Sequence, residues 1–181
     1  AAQASPEAMP SNHPPEPGNK NIFGLYKSPV EGLKLGAYGE FKFGSKQNKD
    51  YIVMQNAVAA LQWDTVKVLA KQHLAKFPGN LDAFLFLSLA HAATGELGRA
   101  RFYAELVLKA EPGNGYAPNI LGVLTRSEAV LPEDYRRALV YFQLARQANP
   151  QSPTPILNAA SLNLEIGNFA EARVDFKQAQ E

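Results

Sequence analysis

Few side chains in this sequence have the types and spacings that chemistry requires. The histidines are His13, His73 and His91. No two of them stand at a metal-ligand spacing, and none is followed by the carboxylate of a His-Glu-x-x-His arrangement. Glu133-Asp134 is an acidic pair, but it stands where a helix begins, and the helix dipole favours acidic groups there without any catalytic role. Gly36, Gly39 and Gly44 lack the Gly-Lys-Ser/Thr and following helix that would make a phosphate cradle. The chain holds no cysteine, which excludes disulfides, thiolate metal sites, a cysteine nucleophile and a lipidated cysteine. The residues therefore predict no enzyme, no metal and no cofactor.

The elements around these residues must then serve binding or structure. The chain has 181 residues, of which 46% are hydrophobic and 19% charged, enough for one or two domains with a real core. Its net charge is +1, with 6 basic and 5 acidic side chains in residues 1–50 and 12 of each in 51–181. Nucleic-acid binders concentrate basic charge on a domain or stripe, so none is expected as a partner. The longest apolar runs fall far short of the ~18 residues of a membrane span. The opening Ala1-Ala2-Gln3-Ala4-Ser5 has the small-residue composition found around signal-peptidase sites. That suggests an exported, periplasmic or extracellular protein; a trimmed start and a cytoplasmic location are the alternative.

Organisation changes near residue 50. Residues 1–21 contain Pro6, Pro10, Pro14, Pro15 and Pro17 and almost no large apolar side chains, which predicts an extended tail. Residues 22–50 are rich in glycine and aromatics. Leu33, Leu35, Phe41 and Phe43 alternate with Lys34, Gly36 and Lys42, a short period-two pattern. Phe23, Tyr26, Tyr38, Phe41 and Phe43 are too many large groups for a solvated linker. This segment reads as a strap that docks on the protein's own helices or on a partner, or as a pair of short strands covering the end of the helical domain.

From 51 to 181 the pattern is helical and repeats. Pro78-Gly79-Asn80 recurs as Pro112-Gly113-Asn114, and then as Asn149-Pro150 after a four-residue insertion. Ala100, Ala138 and Ala172 keep the same beat, as do Gly95-Glu96 and Gly167-Asn168. The units fall at about 47–80, 81–114, 115–152 and 153–181. Each reads as two helices and a tight turn: Tyr51 to Leu61 with Thr65 to Phe77, Leu81 to Ala93 with Leu97 to Ala110, Tyr116 to about Glu128 with Tyr135 to Ala148, and Ile156 to Ile166 with Phe169 to Gln180. Proline and glycine supply the stops, and a longer loop is expected around Leu131-Pro132-Glu133-Asp134.

These units resemble the tetratricopeptide repeat family. Leu121-Gly122, Ala138, Phe142 and Pro150 match its pattern in the third unit. Ala159-Ala160, Ala172 and Phe176 match in the fourth, and Phe84, Leu87-Ser88, Ala100 and Pro112 in the second, where Ala104 replaces the aromatic. The first unit offers only Val66, Ala70 and Pro78. The resemblance implies an all-α solenoid of about four helix-turn-helix repeats behind a largely irregular N-terminal extension. Small residues at Ser88, Gly122 and Ala160 would let paired helices approach closely, and Phe142 and Phe176 would fill space between units. His73 and His91 would pack against neighbouring helices.

The resemblance also implies a function. First helices of such units line a concave groove, which here would carry Leu85 and Leu89, then Tyr116, Asn119, Val123 and Arg126, then Leu157 and Ser161. The basic clamp that binds terminal carboxylates in peptide-binding members is missing. An apolar groove suits a hydrophobic strand or amphipathic helix instead, with Asn119 and Arg126 setting its orientation. The alternative is that Leu85 and Leu89 pack inside a tightly wound superhelix. The expected partner is a protein or peptide, in a scaffold or adaptor of the kind that assembles bacterial envelope complexes (pilus, secretion or outer-membrane machinery). A permanent structural subunit anchored by the strap is the other reading. With no polar capping helix before Glu181, the last repeat could also pack on a second copy.

Overall fold

The computed structural model describes residues 49–180. The tail over 1–21 and the strap with Phe23, Tyr26, Tyr38, Phe41 and Phe43 lie outside the described residues. Among the described residues there are eight helices and no strand: α1 (Lys49–Ala59), α2 (Trp63–Lys76), α3 (Leu81–Ala93), α4 (Leu97–Ala110), α5 (Tyr116–Ser127), α6 (Pro132–Ala148), α7 (Pro153–Glu165) and α8 (Phe169–Gln178). Each helix packs on the next in sequence, and α5 also touches α3 and α7. First helices thus form an inner layer and second helices an outer one, the all-α solenoid that the repeats imply.

Local chemistry sets the helix ends. The Asn80 side chain accepts from Ala83 N at 2.9 Å, and Asn114 Oδ1 accepts from Tyr116 N and Ala117 N at 3.0 and 2.9 Å. The repeated Pro-Gly-Asn therefore stops one helix and caps the next. Gly95 and Gly167 end α3 and α7 in the left-handed region, at φ 78° and 83°. The matching place after α1 is held by Leu61 at φ 57°, a conformation that costs a side chain roughly 1–2 kcal/mol.

The structure corrects four starts, α1 beginning at Lys49 rather than Tyr51. The loop expected around Leu131–Asp134 is mostly helix, because α6 begins at Pro132. Proline suits the first helical position, where its missing N–H costs nothing. The Asp134 carboxylate then accepts from Leu131 N and Val130 N at 2.9 and 3.0 Å. Those bonds, with Arg137 beside them, hold its pKa at about 2. Likewise α7 begins at Pro153 and not at Ile156, and α2 begins at Trp63 inside the expected turn.

Close approach within pairs is as expected. Ser88 Oγ donates to Ala100 O at 2.7 Å, joining α3 to α4. A Cβ at Gly122 would lie 2.5 Å from Phe142 Cε1 and 2.7 Å from Cδ1. Phe142 is therefore packed into its own unit, on the spot that glycine leaves open, as well as lining the side of α6 towards α8.

Candidate binding face

Two of the first helices, α3 and α5, are dry on nearly every side, whereas α1 leaves Ile52 and Val53 46% and 47% exposed. In α3 every residue from Leu85 to Ala92 is buried, and in α5 every residue from Ala117 to Arg126. A run of that length covers more than two turns, so burial extends round the whole helix. Of the residues predicted for the groove, Leu85, Leu89, Asn119, Val123, Arg126 and Ser161 are buried, and Tyr116 and Leu157 half-buried. Leu85, Leu89 and Val123 belong to one continuous apolar core, with Tyr116 packed against it.

The polar members bind one another across units. Arg126 Nε donates to Glu165 Oε2 at 3.0 Å and its Nη2 to Ser161 Oγ at 3.2 Å, tying α5 to α7. Asn158 Nδ2 donates to Asn119 Oδ1 at 2.9 Å beside them. Asn119 and Arg126, expected to orient a ligand, thus also orient the next repeat. Sequence reasoning placed Asn158 in the same row as Asn119 and Arg126 but missed Glu165. Glu165 lies 39 residues after Arg126, off the repeat beat, so register alone did not single it out. On this face two buried oxygens remain without a hydrogen bond among the described residues, Asn158 Oδ1 and Thr154 Oγ1. Thr154 lines a small hollow with Tyr116 and Asn119.

His73 and His91 are packed, as expected, and each lies beside a carboxylate. His73, 2% exposed, has Nδ1 2.9 Å from Asp50 Oδ2, which with Lys76 keeps the Asp50 carboxyl below its ordinary range. His91 Nδ1 lies 3.1 Å from Glu96 Oε1 but misaligned for a hydrogen bond, and burial pushes its pKa down. Lys67 Nζ donates to Glu96 at 2.6 Å, joining the first unit to the second and holding the Glu96 pKa at about 2. The histidine pairs are structural ties within repeats, and Lys67–Glu96 is a tie between two of them. Among the described residues no group of three or more His, Asp or Glu could hold a metal ion.

The outer layer carries a second apolar feature. Val68, Phe102, Val140 and Val174 occupy the same place in the four second helices, two residues after the small position, and are 53–62% exposed. Between α6 and α8 a cleft of about 600 Å³ is lined by Leu139, Val140, Ala159 and Val174, with Arg146 and Asp175 paired at 3.2 Å. No helix among the described residues is long and apolar enough to cross a membrane.

Stacked helix pairs at a near-34-residue beat, with Ser88 and Gly122 at the close crossings of the second and third pairs and a first-helix inner layer, define a tetratricopeptide-type α-solenoid. Solved structures of MamA have this arrangement: MamA RS-1, as the ArsTM double mutant, is 19% identical with a TM-score of 0.57, covering 84% of each chain. MamA MSR-1 C2 is 19% identical with a TM-score of 0.53, covering 84% of this chain and 90% of that one. At such identity the likeness is one of fold. No protein-family profile and no curated protein matches the sequence.

Proposed function

We propose that this protein is a non-enzymatic interaction scaffold whose first-helix face takes a hydrophobic peptide or an amphipathic helix. One observation carries the reading: Leu85, Leu89, Val123 and Leu157 follow one another across α3, α5 and α7, which touch directly. The charges on that face are already neutralised within the chain by the Arg126–Glu165 pair. Contact there rewards apolar side chains rather than charge. The unsatisfied Asn158 Oδ1 and Thr154 Oγ1 would accept hydrogen bonds from a peptide. Scaffolding of an envelope complex is one setting for such a face, and fractionation of source cells tests it.

The test is selection of random displayed peptides on the full chain, followed by variants. Binding should require large apolar anchors, fall with Tyr116→Glu and with Leu157→Glu, and survive Phe102→Glu. Peptides that ignore Tyr116 and Leu157 but are lost with Phe102→Glu would overturn the proposal. The exposed outer row favours a second reading, a subunit built permanently into a larger complex. That reading predicts a chain that aggregates when produced alone, with aggregation relieved by Phe102→Glu.

A further inference from the structure

The first-helix face is dry at α3 and α5, where Leu85, Leu89 and Val123 join the common core. Around α3 pack α2, α4 and α5; around α5 pack α3, α4, α6 and α7. All of these are sequence neighbours or the first helix of an adjacent unit. Yet Leu85, Leu89, Val123 and Ser161 are each 7% exposed or less. An open solenoid groove would leave such side chains wet.

We propose that residues 22–44 of this same chain occupy the first-helix face, so that the scaffold carries its own ligand. This deepens the proposed function, because it rests on that face being the binding surface and names what fills it first. Length and attachment support the choice. Fully extended, 22–44 reaches at most about 75 Å, whereas four first helices at 8–10 Å spacing span only about 30 Å. The chain enters at the right edge: Asn80 Nδ2 donates to Tyr51 Oη at 2.5 Å, pinning the start of α1 beside the start of α3. Only Ser45 to Asn48 separate Gly44 from Lys49. Composition fits as well, since Ile22, Phe23, Leu25, Tyr26, Leu33, Leu35, Phe41 and Phe43 offer the apolar surface that this face demands. An external partner must then displace this segment, and its apparent affinity falls by the fraction of time the segment is bound.

The absence of cysteine makes the test clean. In the full chain, Tyr116 is replaced by the photoreactive benzoyl-phenylalanine, irradiated, and digested for mass spectrometry. The expected product is an intramolecular adduct between position 116 and a peptide from 22–44, at monomer mass. Adducts confined to the helices would mean that the solenoid closes on itself, and adducts at dimer mass would mean a second copy; either overturns the proposal. A second measurement labels the single thiol of Leu89→Cys with and without Phe23, Tyr26, Tyr38, Phe41 and Phe43 changed to Ser, with Phe102→Cys as the exposed reference. Labelling should quicken on the order of tenfold or more at 89 and not at 102. If selected peptides bind the face but no 22–44 adduct forms, this inference fails alone. If the adduct forms and no peptide binds even when Phe23, Tyr26, Tyr38, Phe41 and Phe43 are changed to Ser, the proposed function fails alone.

Discussion

Substituting Gly122 by alanine sets two effects of opposite sign against each other. Gly122 lies inside α5 with ordinary helical backbone, so in an isolated helix alanine would be favoured by about 1 kcal/mol. The added Cβ would meet Phe142 Cε1 at 2.5 Å, Cδ1 at 2.7 Å and Cζ at 3.1 Å. Carbon pairs rest at about 3.5–4.0 Å, so the ring must move by close to an ångström. Phe142 is 1% exposed, and its ring can yield only towards the cleft between α6 and α8, away from the packing it makes beside Ala138 and Ala145. Overpacking of this kind costs about 1–3 kcal/mol, and contacts this short place it at the upper end. The net expectation is a loss of about 2 kcal/mol and a Tm lower by roughly 5–10 °C. Thermal and urea melts followed by far-UV circular dichroism measure it, with Phe142→Leu and the double variant completing a cycle. The double variant should be more stable than the sum of the singles by about 1–2 kcal/mol. A Gly122→Ala protein that melts higher than the parent would refute the argument.

Leu61→Gly should raise stability by about 1 kcal/mol, since Leu61 holds the left-handed place that Gly95 and Gly167 hold in other units and is half-exposed, with little packing to lose; urea melts check it. Arg126→Met should cost about 1–3 kcal/mol, because it leaves Glu165 and Ser161 without their shared donor between α5 and α7; Glu165→Gln should cost less. Acid should weaken the fold in two stages. The lowered His91 pKa lets the unfolded chain take up a proton first as pH falls through about 6.5, its ordinary value, so stability begins to drop there. Glu96 and Asp134, held at about 2 against ordinary values of 4.5 and 3.8, add a loss between about pH 5 and 2. Melts across that range should show a shallower acid slope for Glu96→Gln.

The repeat was legible because its punctuation is local. Asn80 and Asn114 cap helices through their own side chains, and Gly95 and Gly167 carry backbone geometry that glycine favours, so spacing alone placed α3 and α4 to the residue. The start of α6 was read late because Pro132 in Leu-Pro-Glu-Asp looks like a loop. Its role as a first helical residue shows only once Asp134 is seen to reach back to Leu131. The close approach at Gly122 was legible from the small-residue position. The Asn119–Asn158 and Arg126–Glu165 ties were not, because they join residues 39 apart. That separation departs from both the 34 and the 38 beats, and side-chain reach rather than repeat register decides it. The candidate face was legible only as positions. Its depth of burial depends on what lies against it, which no periodicity encodes.

The central claim is that ligands enter on the first helices, and methyl NMR of the full chain tests it most directly. Leucine and valine report on both layers: Leu85, Leu89, Val123 and Leu157 on the inner, Val68, Val140, Leu144 and Val174 on the outer. Titration with a selected apolar peptide should shift the four inner methyl groups and leave the outer ones in place. Shifts confined to Val68, Val140, Leu144 and Val174, with the inner set unmoved, would contradict the account.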